Sequence, residues 1–259
     1  MHAAGADGTG AEHIGLLAEL GYDYVELPMA EVMGLDEPAF LQIVETLDHA
    51  GIPCEACNNF FPKHMRLTGP EVDHAAVHSY IEQAVHRANR LGASVIVFGS
   101  GAAKMSPPGF SLSAAHDQLV RFLSEAAPVA GAAGITLAVE PLRREECNLI
   151  NSFSEGCALV DAVGADNVKV LVDFYHSSSE KEDPRHIAIM GNGRLAHVHF
   201  AQPEGRVFPS EAVQIKGFHA FVKALQLAIY HGRISIEAYS DALAADAAAG
   251  LRFMRKYFV

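Results

Sequence analysis

Short apolar runs recur along the chain at residues 22–27, 52–57, 94–98, 135–140, 168–173, 195–200 and 233–237. Most are nearly continuous in apolar character, as parallel strands buried on both faces require. Between them, apolar positions take helical spacing over residues 11–20, 38–50, 73–91 and 113–133, and a glycine follows each segment: Gly21, Gly51, Gly92 and Gly134. Glycine just past a helix end supplies the left-handed turn that stops it. The stretches LAELGYDYVEL, LDHAGIPCEA, ANRLGASVIVF and AGAAGITLAVE are thus four versions of one helix–Gly–strand joint. Repetition of that joint predicts parallel βα architecture. No linker interrupts it, so residues 1–259 are expected to form one domain.

A parallel βα chain can fold as an open sheet or a barrel. An open dinucleotide-binding sheet should show GxGxxG opening a helix near its first strand. None is present, and the GSG at 99–101 is too short a signal to count. Glu26, Glu140, Asp173, His199 and Glu237 all fall at or near the C-terminal ends of the predicted strands. Convergence of such residues from several strands on one face is the TIM-barrel arrangement, and about 250 residues is its usual length. The expectation is therefore an α/β fold of the (β/α)8 TIM-barrel class with its first strand truncated or missing. Seven strands are counted rather than eight. The absent one should precede the helix at 11–20, where only residues 1–5 remain. A seven-stranded sheet would leave an open edge between first and last strands.

Composition narrows the function classes. Of 259 residues, half are hydrophobic and 19% charged, so a large core can be buried. A formal net charge of −12 and the lack of a Lys/Arg run disfavour nucleic acid as a partner. No apolar run approaches the ~20 residues of a membrane span, and residues 1–10 lack the charged and apolar regions of a signal peptide. The expected location is cytoplasmic, and the four cysteines fit a reduced compartment. Cys54 and Cys57 form a CxxC, but with no second CxxC there is no zinc site of that type. On a regular strand, residues three apart point to opposite faces, so the pair is read as structural.

The strand-end residues carry the chemistry. A single Glu at a strand end reads as a helix cap or a solvated charge, Asp173 reads as a cap of the next turn, and His197 or His199 as a core histidine. Together, two Glu, one Asp and one His offer the carboxylate and imidazole donors that Mg²⁺, Mn²⁺ and Co²⁺ take. Without a cation, such groups converging in one barrel mouth would repel each other.

The segments VEPL at 139–142, DFYH at 173–176, HVHFA at 197–201 and RISIEAY at 233–239 resemble, in this order, the xylose isomerase-like sugar isomerase and epimerase superfamily. The closest branch looks like the D-tagatose and D-psicose 3-epimerase group. The resemblance runs from about Leu16 to the C-terminus. It implies that Glu140, Asp173, His199 and Glu237 bind one divalent ion (Mn²⁺, Mg²⁺ or Co²⁺, with Zn²⁺ also compatible). It also implies that Glu140 and Glu237 are the acid/base pair for proton abstraction beside a carbonyl, through a metal-stabilised cis-enediolate. Glu146, His176 and Arg206 would bind substrate, with an Arg143 or Arg144 salt bridge the competing reading for Glu146. Where the family usually carries a Gly-rich PGxG turn after that arginine, this chain has VFPSEAVQ. Phe60 and Phe61 could wall a sugar face, although core packing is the favoured reading.

The function expected is a metal-dependent sugar isomerase or epimerase acting on a ketose or related polyol-ketone. An inosose dehydratase or hydroxypyruvate isomerase would use the same metal frame, and a truncated, non-catalytic barrel is a further alternative. The endonuclease IV branch needs more His and Asp ligands and a basic surface. The partner expected is a small sugar or polyol, unphosphorylated because no phosphate-binding loop is evident, with no nucleic acid and no membrane. Assembly into a homo-oligomer is left open.

Overall fold

A computed structural model describes residues 8–258. Seven strands lie in one parallel sheet in chain order: β1 (Val25–Pro28), β2 (Cys54–Asn58), β3 (Val95–Phe98), β4 (Thr136–Val139), β5 (Val168–Asp173), β6 (Leu195–Phe200) and β7 (Ile234–Ile236). The helix Ile14–Leu20 precedes β1, helices connect successive strands, among them Glu37–Ala50, His74–Leu91, Leu112–Ala132, Phe153–Val163 and Phe218–Leu227, and Leu243–Tyr257 follows β7. This is the expected TIM-barrel fold, nearly closed. The apolar runs at 168–173 and 195–200 match their strands end to end. The stretch at residues 1–5, where the sequence places the absent first strand, lies outside the described residues.

The glycine stops behave as read. Gly21, Gly51, Gly92 and Gly134 all have positive φ, between 66° and 89°. Asp36, Asp73, Ser111 and Ser152 each accept a backbone N–H three residues on, so four helices begin with a side-chain cap.

Among the described residues no backbone pairing joins β1 to β7. The seam is bridged by side chains instead: Tyr24 Oη lies 2.8 Å from Ser235 Oγ, and Ser235 donates to the Glu26 carboxylate. The predicted open edge is therefore crossed by polar contacts inside the barrel.

Alternation along each strand separates two cores. Outward positions pack against the helices, where Phe174 and Phe200 stack at 4.9 Å and Phe61, Phe98 and Phe122 meet at 5.0–6.4 Å. Inward, Val97, Ala138 and Leu171 form a small apolar cluster of their own. Two residues further along β4 and β5 stand Glu140 and Asp173, so the same alternation that fills the barrel with Ala138 and Leu171 lifts carboxylates into its mouth.

One expectation is corrected. Cys54 and Cys57 do not face opposite ways; both thiols are buried in the outer core and free. Val25 pairs with Cys54 while Glu26 pairs with Ala56, so Glu55 is an extra residue in β2. That bulge shifts the alternation by one and turns Cys57 to the face of Cys54. A hydrogen bond with Cys54 and burial push the Cys57 thiol well up, which suits packing rather than nucleophilic use. Phe60 and Phe61 are buried in the core, as favoured, and Phe61 also lines the cleft at the barrel mouth. Among the described residues no helix is long and apolar enough to cross a membrane.

Asp73 caps the helix His74–Leu91 by accepting from the Ala76 amide at 3.0 Å. Asp73→Ala should cost about 1 kcal/mol, read as a lower urea midpoint with an unchanged slope. An unchanged midpoint would show that this cap contributes nothing.

Candidate metal centre

The mouth of the barrel assembles its polar residues from several strand ends. Asp173 closes β5 and is in register with His199 of β6, which is in register with Ser235 of β7. Glu140 follows β4 and Glu237 follows β7. All four predicted ligands meet: one donor atom from each of Glu140, Asp173, His199 and Glu237 lies within 4.8 Å of the others. His199 Nδ1 is 3.1 Å from Glu140 Oε1 and 3.1 Å from Glu237 Oε2.

Local structure aims each group. Asp173 does cap the following turn, its Oδ1 accepting the Tyr175 amide at 2.7 Å, yet its Oδ2 is left facing the site. The Glu140 carboxylate occupies space that only glycine can leave, because a Cβ on Gly99 would collide with Oε2. The GSG that is no dinucleotide signal therefore makes room for Glu140. Lys104, wholly buried, donates from Nζ to the Glu140 carbonyl oxygen at 2.6 Å and anchors that turn from beneath. Asn58 donates to Glu237 Oε1 at 2.9 Å.

Behind His199 lies a second layer. Its Nε2 is 2.9 Å from Glu26 Oε1, and the other Glu26 oxygen is 2.9 Å from His197 Nε2. Glu26, His197 and His199 are the other metal-competent group among the described residues, and it shares His199 with the first.

The predicted substrate binders line one cleft of ≈ 380 Å³ together with Glu140 and Glu237. His176 is buried, with Nε2 3.5 Å from Asp173 Oδ2 and Nδ1 accepting the Arg143 amide at 3.4 Å. Burial, with Arg206 adding to it, pushes its pKa down to about 3, so the ring is neutral. Arg206 reaches Glu237 Oε2 at 2.5 Å and Asp173 Oδ2 at 3.4 Å, its guanidinium over the Tyr175 ring at 4.8 Å. The altered loop is held by other means than glycines: Val207 bridges Tyr239, and Gln202 takes the carbonyls of Val207 and Phe208. Glu146 makes the Arg143 salt bridge of its competing reading, at 2.7 Å, and also lines the cleft.

Burial pushes the Asp173 carboxyl up to about 7, Arg206 opposing and the Glu140 and Glu237 carboxylates reinforcing. Burial also opposes the charge on Glu237, but His199 and Arg206 overcome it and hold that carboxyl well below its ordinary range. Burial disfavours the His199 imidazolium as well, yet Glu26, Glu237 and Glu140 hold it protonated far above its usual value. A proton on Nδ1 and a guanidinium thus neutralise a buried cluster of carboxylates. These donors fit a divalent ion: three carboxylates and one imidazole, converging where burial disfavours the carboxylates' charge.

The sequence profile of the xylose isomerase-like TIM barrel family matches residues 14–257. The chain belongs to this family. Among its relatives, an L-ribulose 3-epimerase of Methylomonas sp. (strain DH-1) is 23% identical over 227 residues, 86% of this chain and 76% of that one. A solved D-psicose 3-epimerase with D-tagatose from Clostridium cellulolyticum H10 superposes with a TM-score of 0.82 at 22% identity, covering 96% of this chain and 93% of the other. The IOLI protein with a binding zinc atom superposes with a TM-score of 0.76 at 17% identity, over 95% of this chain and 92% of that one.

The sequence reading names Glu26 only as a strand-end acid and misses Asn58, Gly99 and Lys104. Their roles depend on contacts across the barrel rather than on a local pattern.

Gly99→Ala should displace the Glu140 carboxylate and weaken Mn²⁺ binding about tenfold or more, with the far-UV spectrum unchanged; undiminished affinity would show that Glu140 does not depend on this gap. Asp173 sets a pH dependence. Its folded value near 7 exceeds the ordinary 3.8, so the metal-free folded chain holds a proton that the unfolded chain releases between those values. This group therefore removes stability as pH rises from about 4 through 7. Metal-free Asp173→Asn should melt progressively higher than wild type across that window, and a constant difference in Tm would contradict the shift.

Proposed function

We propose that this chain is a divalent-metal-dependent sugar epimerase or isomerase of a free ketose or related polyol-ketone, working as a single domain. The reading rests on one observation above the rest: Glu140, Asp173, His199 and Glu237 converge within 4.8 Å in the barrel mouth, beside the cleft that holds Glu146, His176 and Arg206. The names of the Methylomonas and Clostridium relatives support epimerisation at a ketose carbon, and the zinc atom of the IOLI structure supports a metal in this fold.

A divalent ion on these four side chains supplies Lewis-acid stabilisation of negative charge developing on substrate oxygens. The chain's own residues do the rest. Glu140 and Glu237 follow β4 and β7, with β5 and β6 on one side and β1–β3 on the other, so they face each other across the mouth. One carboxylate removes the proton beside the substrate carbonyl, and the other returns a proton to the opposite face of the resulting cis-enediolate. Return to the neighbouring carbon gives isomerisation instead. Neutral His176 can hydrogen-bond a substrate oxygen without adding charge, and Arg206 orients oxygens near the carbonyl. Asn58 holds the Glu237 carboxylate for its part in the transfer.

The experiment is hydrogen exchange of free ketoses and inososes in D₂O with Mn²⁺-loaded protein. Deuterium should enter one C–H beside the carbonyl of a productive substrate. Glu140→Gln and Glu237→Gln should each lower turnover by about 10²–10⁴-fold. Full activity in both variants, together with no metal in the purified protein, would sink the mechanism.

A further inference from the structure

We propose that Glu26 is a positioning residue: its carboxylate grips the Nε2 side of His199 and thereby fixes Nδ1 toward Glu140 and Glu237. The inference rests on the metal reading above. The contact is built rather than incidental. Glu26 Oε1 is 2.9 Å from His199 Nε2, while Oε2 is 2.9 Å from His197 Nε2 and also accepts from Ser235 Oγ. Ser235 is in turn 3.1 Å from His197 Nε2 and 2.8 Å from Tyr24 Oη. Glu26, His197, His199 and Ser235 are 5%, 1%, 0% and 7% exposed, so little solvent competes for these bonds.

A carboxylate buried this deeply is tolerated only when its oxygens are satisfied, and here three donors serve it. With Nε2–H donated to Glu26, His197 leaves only the lone pair of its Nδ1 without a partner. For His199 the consequence reaches the site. An imidazole has two edges, and a proton held on Nε2 by a carboxylate leaves the Nδ1 lone pair for a cation once the Nδ1 proton is displaced. The rings of His197 and His199 stand 5.2 Å apart at 83°, so one carboxylate meets both edge-on. Glu26 lies on β1, the histidines on β6 and Ser235 on β7. The clamp therefore crosses the seam where backbone pairing is absent, and it ties closing of the barrel to orientation of one ligand.

The rival use of the same atoms is a second metal site on Glu26, His197 and His199. The geometry favours hydrogen bonds, since both Nε2 atoms approach the carboxylate at 2.9 Å. None of the three lines the cleft that holds Glu146, His176 and Arg206.

The test is calorimetric titration of metal-free full-length protein with Mn²⁺ alone, on wild type, Glu26→Gln, Glu26→Asp and Ser235→Ala. Glu26→Asp keeps the charge but withdraws the carboxylate from His199, and so separates orientation from electrostatics. Both Glu26 variants should bind Mn²⁺ about 10–100-fold more weakly. Ser235→Ala should lower the melting temperature yet change affinity less than about threefold. A merely structural Glu26 would lower melting temperature and leave affinity at the wild-type value, which overturns the inference. Two equivalents in wild type and one in Glu26→Gln also overturn it, because Glu26 would then be a ligand. A wild type that binds no divalent ion fails at the earlier step and removes the metal reading itself.

Discussion

His199 is held from both edges, and the centre of the barrel is organised around that fact. One nitrogen meets Glu26 at 2.9 Å and the other meets Glu140 and Glu237 at 3.1 Å. A fully buried ring between three carboxylates stays charged when no metal is bound, as burial alone would not allow. That charge, with the Arg206 guanidinium, lets acids sit together at the C-terminal end of the sheet. Several polar groups of the mouth are placed relative to this ring, either in strand register with it, as Asp173 and Ser235 are, or bonded to its neighbours, as Asn58 and Lys104 are.

The same clamp answers how a seven-stranded barrel closes. Backbone ladders join each strand to the next from β1 to β7, and where the ladder stops, Tyr24, Glu26, His197 and Ser235 join the two edges through side chains. Polar closure inside a barrel costs desolvation unless every donor finds an acceptor. Here the shared acceptor is one glutamate. Structural closure and ligand orientation thus depend on the same buried carboxylate.

Much of this was legible along the chain because it is local. Apolar runs mark β5 and β6 to the residue, and glycines mark helix ends because left-handed φ is a local demand. Glu140, Asp173, His199 and Glu237 were legible because each falls at or near the C-terminal end of a strand, the face on which TIM barrels gather their chemistry. The rest is spatial. Nothing around GSG at 99–101 announces that Gly99 clears the Glu140 carboxylate, and nothing near residue 26 announces a partner on β6. The extra residue in β2 inverts the facing of Cys57 relative to Cys54, which regular period-two counting could not foresee. The Arg143 salt bridge of Glu146 was legible because it spans three residues, and it leaves Glu146 on the cleft wall.

The central claim is that the four side chains around His199 Nδ1 form one cation site. It is tested most directly by anomalous diffraction at the manganese edge from crystals soaked in Mn²⁺. The account predicts a single strong peak bonded to His199 Nδ1 and to a carboxylate oxygen of each of Glu140, Asp173 and Glu237. No peak there, or a peak between Glu26 and His197 instead, would contradict it.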